Sequence, residues 1–185
     1  MRIEKVSTND AGELLALYAP YVINTAISFE YEIPTKEEFE ARIQQISSKY
    51  PYLKAVENGE IVGYAYANTF KARAAYDYSV ETTIYLKEGF KGKGIGKALY
   101  DSLEKSLTHM GILNMNACIA ITDEEDEYLT NASKYFHEKM GFKEVGCFYK
   151  SGYKFNRWYN MIWMEKILGE HPKKPEPVKF GEWEI

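Results

Sequence analysis

A glycine-rich, basic stretch in the middle of the chain constrains the fold more than any other feature. Gly92, Gly94 and Gly96 alternate with other residues between Lys91 and Lys97. A run of β-branched and aromatic residues precedes this stretch, and apolar residues at helical spacing follow it, so the pattern predicts a strand, a loop and a helix. Glycine lets a ligand approach the backbone closely, and the free N–H groups at the start of a helix attract anions. The stretch is therefore a predicted anion-binding site.

The spacing of the glycines excludes two common nucleotide-binding loops. A Walker A loop needs a glycine where this chain has Lys91 and a hydroxyl residue where it has Ala98. The dinucleotide fingerprint needs two residues between its second and third glycines, but only Ile95 lies between Gly94 and Gly96. A flexible basic turn without a ligand is an equally good interpretation of the glycines alone, so the flanking residues must decide.

Other local signals place several elements in the first half of the chain. Thr35 and Glu38 have the spacing of a capping box, which predicts the start of a helix. Asn58 and Gly59 separate two strand-like runs and predict a tight antiparallel hairpin. Residues 78–86 are rich in β-branched and aromatic side chains and predict the strand that leads into the glycine-rich stretch.

The end of the chain is predicted to form a second hairpin and a tail. Residues 142–150 and 155–165 are strand-like and flank Ser151-Gly152, which predicts the turn between them. Residues 169–185 contain three prolines, so we expect an extended tail that runs over the surface or toward a second subunit. The predicted organisation is one domain at residues 1–168 followed by this tail.

The composition is that of a single-domain globular protein. The 185 residues are 45% hydrophobic and 27% charged, which suits one domain with a substantial core. The formal net charge of -4 argues against a general nucleic-acid-binding surface. Cys118 and Cys147 lack companion ligands for a metal, and no apolar run suits a signal peptide or a membrane span. We therefore expect a cytoplasmic protein without a metal, a nucleic-acid partner or a membrane partner.

The glycine-rich stretch and a later segment together resemble the GNAT superfamily of N-acetyltransferases. The acetyl-CoA signature of that superfamily is Arg or Gln, two residues, Gly, one residue, and Gly or Ala, which is similar to the run Lys91–Gly96. The segment Asn131–Phe142 resembles the superfamily helix that ends in Gly-Phe. Three further segments, Ile27–Glu30, Lys71–Asp77 and Glu81–Tyr85, resemble the phosphinothricin N-acetyltransferase family, and the similarity extends over nearly the whole chain.

This resemblance implies a fold, a cofactor and an assembly. The implied fold is α+β, with a GNAT-type mixed, mostly antiparallel and twisted sheet flanked by helices. The implied cofactor is acetyl-CoA, the implied partner is a small-molecule amine substrate, and the implied assembly is a homodimer. The positions that it assigns to the cofactor are Ile84, Tyr85, Leu86, Lys91, Gly92, Lys93, Gly94, Ile95, Gly96, Lys97, Asn131 and Ser133.

Three positions depart from the family pattern. Lys91 stands where Arg or Gln is usual, which keeps a hydrogen-bond donor but loses the forked geometry of Arg. Thr130 occupies the usual place of an Asn in the later helix and Asn131 follows it, so either residue is a candidate for the cofactor contact. Tyr159 and Asn160 replace the His and Asp of a late Trp-His-Asp run, so a second basic group is absent.

Glu81 and His137 are the predicted catalytic residues. Acetyl transfer from a thioester to an amine needs a base for the amine, donors for the developing oxyanion and a proton for the departing thiolate. Glu81 matches the catalytic Glu of the family; the alternative is a surface carboxylate paired with a lysine. The backbone of residues 84–86 would supply the donors. His137 stands where many members have a Tyr that acts as the acid, and a half-buried structural histidine is the alternative.

The resemblance also implies an acceptor site. Lys71 and Arg73 resemble an anion-binding pair that would hold the carboxylate or phosphinate of a small amino acid; the alternative is an ordinary solvated basic loop. Glu30 lies in the family's substrate loop, where it either favours a second amine or orients Arg73. The predicted pocket walls are Phe29, Tyr76 and Tyr78.

The predicted reaction is direct attack of the acceptor amine, without a covalent enzyme intermediate. One alternative keeps the fold and changes the acceptor to a peptide N-terminus, a polyamine or an aminoglycoside. A second alternative is a non-catalytic acyl-CoA sensor, against which the presence of Glu81 argues.

Overall fold

A single mixed sheet with helices on both faces forms the protein, and the computed structural model describes residues 1–185. In chain order the elements are β1 (Arg2–Lys5), α1 (Ala11–Asn24), α2 (Lys36–Ser47), β2 (Tyr52–Glu57), β3 (Glu60–Thr69), β4 (Ser79–Leu86), α3 (Ile95–Met110), β5 (Asn114–Ile121), α4 (Ala132–Lys139), β6 (Lys143–Lys154) and β7 (Arg157–Ile167). The strand order is β1-β2-β3-β4-β5-β7-β6, and only β4 and β5 run parallel. The predicted α+β class with a mostly antiparallel sheet is confirmed. None of the helices combines the length and the apolarity that crossing a bilayer requires.

The local signals of the first half of the chain produce the predicted elements. Thr35 N donates to Glu38 Oε2 at 2.7 Å and Glu38 N donates to Thr35 Oγ1 at 3.1 Å, which is the capping box at the start of α2. Asn58 and Gly59 have φ angles of 52° and 84°, as a two-residue turn between β2 and β3 requires. The helix after the glycine-rich stretch, α3, ends at Met110 and is capped by Gly111, which has the left-handed φ angle of 85°.

The last hairpin turns later than the sequence predicts. β6 continues through Ser151 and Gly152, and the turn lies at Phe155 and Asn156, whose φ angles are 50° and 56°. The pairing register shifts between Phe148 and Gly152, so the residues of the predicted turn form a bulge inside the strand. The prediction of a turn at Ser151-Gly152 is therefore wrong. Glycine suits a bulge as well as a turn, and the local sequence does not separate the two.

The parallel pair at the centre of the sheet separates after three residues. Ser79–Glu81 of β4 pair with Asn114–Asn116 of β5, and beyond this point β4 pairs only with β3 and β5 only with β7. Asn116 Nδ2 donates to the Val80 carbonyl at 3.1 Å and ties the strands together where they part. A wedge-shaped opening lies between the C-terminal halves of the two strands, with Glu81 at its apex.

The C-terminal tail lies on the body of its own chain. Residues 169–185 contain no helix or strand, but Lys179 N donates to the Met110 carbonyl at 2.9 Å. Trp183 is buried, and its carbonyl accepts a hydrogen bond from Lys5 Nζ at 3.0 Å. The tail therefore packs against its own chain, and Trp183 joins the hydrophobic core.

Candidate active site

The glycine-rich stretch forms an uncapped helix start. Gly92 and Gly94 have φ angles of 76° and 81°, which favour glycine over other residues. The first hydrogen bond of α3 runs from Ala98 N to the Gly94 carbonyl at 3.0 Å, and no side chain caps the helix. The N–H groups of residues 95–97 therefore have no partner within the helix, and the helix dipole adds positive potential in front of them. This geometry suits a phosphate or pyrophosphate group.

The three lysines of the stretch point in different directions. Lys97 forms an ion pair within α3, and Lys93 lies over an aromatic ring of its own loop. Lys91 lines the opening between the strands, and its Nζ lies 5.7 Å from the centroid of the Tyr21 ring. Lys91 is therefore the lysine of the stretch best placed to meet a ligand in the opening.

A cleft runs through the opening between β4 and β5. It consists of two adjoining cavities of about 270 Å³ and 200 Å³ that share Ile27, Ile84 and Ser133. The larger cavity reaches the glycine-rich stretch at Gly92, and the smaller one reaches Glu81. A ligand that places its phosphates at the start of α3 can therefore extend an arm between the strands toward Glu81.

The backbone of β4 faces this cleft at alternate residues. Lys87 donates its N–H to a β3 carbonyl, so by the alternation of an antiparallel ladder Tyr85 also directs its backbone at β3. Ile84 and Leu86 direct their backbone groups at the cleft, where the Leu86 carbonyl accepts a hydrogen bond from the Tyr21 hydroxyl at 2.5 Å. The predicted backbone contact of Tyr85 therefore does not fit the structure, because the sheet already uses its N–H and C=O groups.

Glu81 is half-buried at the apex of the cleft. Burial raises the pKa of its carboxyl group, and the positive charge of Lys71 opposes that rise. Lys71 lies over the rings of Phe70 and Trp163, with Nζ 5.0 and 5.2 Å from their centroids. A partly desolvated carboxylate with a raised pKa is a stronger base than a carboxylate in water, which suits removal of a proton from an amine.

Cys118 is an exposed residue that lines the same cavity as Glu81. Partial desolvation raises the pKa of its thiol, the negative charge of Glu81 raises it further, and Lys71 opposes the rise, so that the pKa reaches about 11. The thiol is therefore neutral at physiological pH. This environment agrees with a direct attack that needs no covalent enzyme intermediate.

His137 lies at the cleft but does not fit its predicted role as an acid. Its side chain is buried, with 3% of the residue exposed. Nδ1 lies 2.8 Å from the Ser133 carbonyl, which can only accept, so Nδ1 carries the proton and Nε2 accepts from the Tyr100 hydroxyl at 2.8 Å. Burial lowers the pKa of His137 to about 4, whereas the Ser133 carbonyl favours the charged form. A neutral imidazole with both nitrogens engaged has no proton to give to a thiolate.

The side-chain amide of Asn131 also forms hydrogen bonds within the protein. Its Nδ2 donates to the Thr122 carbonyl at 3.0 Å, and its Oδ1 accepts from Thr122 N at 3.2 Å. This pair fixes the end of β5 to the start of α4, so the Asn131 side chain is not available to a cofactor as predicted. Thr130 and Ser133 line the larger cavity instead.

Of the predicted acceptor residues, only Lys71 is placed beside Glu81, and none of them lines the two cavities of the cleft. Lys71 is close enough to Glu81 to affect its pKa, and Arg73 and Tyr76 lie in the exposed loop before β4. Tyr78 is half-buried, and its carbonyl accepts from residues at the start of β5. Phe29 packs near Tyr159, with ring centroids 6.3 Å apart.

The structure contradicts one of the two roles proposed for Glu30. Glu30 does not orient Arg73, because Oε1 pairs with Arg42 at 2.8 Å and Oε2 accepts from the Tyr18 hydroxyl at 3.1 Å. Both carboxylate oxygens are thus held by neighbours on α1 and α2. A contact with a second amine of the acceptor would have to compete with Arg42.

Two features near the site escaped the sequence analysis. Lys154 is buried at the tip of the last hairpin and donates to three carbonyls of the chain around the end of α1. A cluster of tyrosines lies between the sheet and the first two helices; its members are Tyr18, Tyr21, Tyr52, Tyr64, Tyr66 and Tyr85. The count of 16 tyrosines was a signal for the cluster. No local pattern distinguishes Lys154 from a surface lysine.

Comparison with known proteins decides the family. Residues 3–163 match the model of the acetyltransferase (GNAT) domain. The chain belongs to the GNAT acetyltransferase family. A phosphinothricin N-acetyltransferase of Streptomyces coelicolor is 36% identical over 163 residues, which are 86% of this chain and 91% of the relative. An L-methionine sulfoximine/L-methionine sulfone acetyltransferase of Salmonella typhimurium is 31% identical over 66% of this chain and 67% of its own length.

A solved structure agrees with this assignment. The crystal structure of a GNAT superfamily phosphinothricin acetyltransferase from Sinorhizobium meliloti in complex with acetyl-CoA has a TM-score of 0.85 and 29% identity, and the match covers 98% of each chain. The predicted family and the acetyl-CoA-dependent N-acetyltransferase activity are therefore confirmed. In this GNAT acetyltransferase the uncapped start of α3 and the cleft between β4 and β5 fit the cofactor.

Proposed function

We propose that this GNAT acetyltransferase acetylates the amine of a small amino-acid-like acid, such as phosphinothricin, methionine sulfone or methionine sulfoximine, with Glu81 as the general base. The observation that carries the proposal is the continuous cleft from the uncapped start of α3 to a half-buried carboxylate. The activities for which the relatives are named support this class of acceptor. Lys71 supplies positive charge near Glu81 for the carboxylate or phosphinate of such an acid, and Arg73 follows it in the exposed loop before β4.

Different groups of the chain bind the cofactor, stabilise the oxyanion and remove the proton. Acetyl-CoA supplies the acetyl group and a thiolate leaving group. The N–H groups at the start of α3 bind the pyrophosphate, and the backbone N–H groups of Ile84 and Leu86 face the cleft, where they can stabilise the developing oxyanion. Glu81 takes a proton from the acceptor ammonium, directly or through water, so that a neutral amine attacks the thioester carbon.

The departure of the thiolate does not require His137. As the C–N bond forms and the C–S bond breaks, the nitrogen loses a second proton and the sulfur gains one. A thiol has a reference pKa of about 8.5, so its thiolate leaves near neutral pH without a strong acid. Water in the cleft can carry this proton, and a buried neutral imidazole is compatible with turnover.

Glu81→Gln is the variant that tests the base. The amide keeps the size of the side chain but cannot accept the proton, so kcat should fall by roughly 10²- to 10⁴-fold while the Kd for CoA stays unchanged. The matched control is Glu170→Gln in the exposed tail. Unchanged turnover in Glu81→Gln would remove Glu81 from the mechanism.

A panel of acceptors tests the substrate class. Thiol release from acetyl-CoA is measured with phosphinothricin, methionine sulfone and methionine sulfoximine, and with a peptide N-terminus, a polyamine and an aminoglycoside. We expect the highest kcat/KM among the amino-acid-like acids, because Lys71 and Arg73 attract their carboxylates. A preference for cationic acceptors would overturn this class, and CoA binding without any acetylated product would indicate a sensor.

We further propose that the enzyme is a homodimer that uses the last hairpin. β6 is an edge strand, and several large apolar side chains on this hairpin are exposed; they are Val145, Phe148, Tyr149, Tyr153 and Trp158. An unpaired edge with an apolar surface is a typical protein interface. Light scattering should give twice the 21.4 kDa chain mass. Phe148→Asp should halve this mass, whereas Ile23→Asp on α1, where the residue is equally exposed at 56%, should not.

A further inference from the structure

Lys154 has an environment that the acetyl-transfer mechanism leaves unexplained. The residue is only 4% exposed, and its Nζ donates to the carbonyls of Val22, Thr25 and Ser28 at 2.6, 2.9 and 2.7 Å. An ammonium group has three donors, so these three acceptors satisfy it completely. A buried cation needs such compensation, because burial removes the water that otherwise solvates its charge.

The three acceptors belong to the last turn of α1 and the loop that follows it. The final carbonyls of a helix have no partner within the helix and carry the negative end of its dipole, so a cation there is stabilised. Thr25 and Ser28 lie beyond the helix, in the loop that joins α1 to α2. Lys154 therefore connects the tip of the last hairpin to the start of this loop across more than 120 residues of sequence.

Two other contacts join the same loop and hairpin. A Cβ built on Gly152 would lie 2.3 Å from ring atoms of Phe29, so the absence of a side chain at 152 leaves the space that Phe29 occupies. The Tyr31 hydroxyl donates to the Tyr153 carbonyl. The loop also places Ile27 in the walls of both cavities of the cleft. The hairpin thus holds a loop that shapes the cleft.

We propose that Lys154 is a positioning residue for the acceptor: its three hydrogen bonds fix residues 25–31 against the cleft, so that acceptor affinity depends on a side chain that does not touch the acceptor. The inference rests on the proposed function, because it takes the apex of the cleft as the acceptor site. The start of α3, where the cofactor pyrophosphate binds, is not part of this contact. Acceptor and cofactor affinity should therefore respond differently to loss of Lys154.

Lys154→Met tests the proposal, because Met has a similar length and donates no hydrogen bond. We expect the KM for the acceptor to rise at least tenfold, while the Kd for CoA and the KM for acetyl-CoA stay within about twofold. Hydrogen exchange of the folded variant should be faster at the amides of residues 25–31 and unchanged at the amides of β2 and β3. Lys143→Met, an exposed lysine of the same strand, is the control and should behave as the wild type.

Each other outcome overturns the proposal. Faster exchange in the loop with an unchanged acceptor KM would show that the loop does not set acceptor affinity. An equal loss of acceptor and CoA affinity would indicate a general structural role. If Lys154→Met does not fold, Tyr31→Phe removes the other hydrogen bond between the loop and the hairpin, and it must raise the KM for the acceptor without changing the Kd for CoA. The exchange and CoA measurements need no acceptor, so they remain informative if the preferred acceptor is not an amino-acid-like acid.

Discussion

At the scale of single residues, with Glu81 as the proposed base, the opposition between burial and Lys71 predicts how activity depends on pH. Burial raises the pKa of Glu81 above its reference value of 4.5, and Lys71 lowers it. A general base is active when deprotonated, so kcat/KM should rise through the pKa of Glu81 on the acid side. Lys71→Met removes the stabilising cation, and the acid limb should therefore move to higher pH.

The measurement is a profile of kcat/KM against pH with one fixed acceptor. The acceptor ammonium titrates in the same way with the wild type and the variant. A difference between the acid limbs of their two profiles therefore reports a change in the pKa of Glu81. Lys150→Met, on the exposed surface of β6, is the control. A limb that stays in place or moves to lower pH in Lys71→Met would contradict the electrostatic coupling.

His137 should make the protein less stable in acid. The folded protein holds the pKa of His137 at about 4, below the reference value of 6.5, so the unfolded chain binds more protons between these values. The free energy of unfolding should be at its full value above pH 6.5 and fall as the pH drops toward 4, by at most about 3 kcal/mol.

Urea unfolding at a series of pH values measures this effect. His137→Asn should be less stable at neutral pH, because Tyr100 loses its acceptor, but its stability should depend less on pH in this range. His109→Asn changes an exposed histidine and should leave the dependence as in the wild type. If the free energy of unfolding depended on pH in the same way in the wild type and in His137→Asn, His137 would be excluded as the cause of the lower stability in acid.

At the scale of elements, the start of α3 combines a left-handed glycine with a proposed role in binding the pyrophosphate, and a comparison of Gly94 with Gly59 separates the two effects. Gly94 and Gly59 have similar φ angles, 81° and 84°, and a Cβ on either would meet nothing within 4 Å. Gly94→Ala and Gly59→Ala should therefore each cost about 1 kcal/mol of stability. Only Gly94→Ala places a methyl group where the cofactor must approach, so it alone should raise the KM for acetyl-CoA. Equal KM values in the two variants would place the pyrophosphate elsewhere.

Several elements were predictable because their signals are local. The capping box of α2, the turn at Asn58-Gly59 and the glycine-rich start of α3 each depend on residues a few positions apart. The last hairpin was not predictable in the same way. Its bulge at Gly152 accommodates Phe29, a residue more than 120 positions away, and no local pattern contains that contact.

At the scale of the whole molecule, the C-terminal tail is part of the packed body. Trp183 is buried, and Lys5 donates to its carbonyl and lies over its ring. Trp183→Ala should therefore lower the free energy of unfolding by roughly 3 kcal/mol, with unchanged KM values, because the tail is remote from the cleft. Glu176→Ala, in an exposed part of the same tail, should change it by less than about 0.5 kcal/mol. Thermal and urea unfolding measure both, and an unaffected Trp183→Ala would show that the tail does not contribute to the core.

The sequence by itself determined the class of the fold, the glycine-rich start of α3 and the placement of Glu81 on the strand before it, since these follow from periodicity, glycine spacing and motif similarity along the chain. Only the tertiary structure decided the states of side chains whose partners are distant. Burial between α3, α4 and the sheet keeps His137 neutral. The side chain of Asn131 is hydrogen-bonded to the backbone of Thr122. Carbonyls at the end of α1 accept hydrogen bonds from Lys154 and allow this lysine to be buried. Protonation and hydrogen bonding depend on desolvation and on neighbours in space, and a linear pattern records neither.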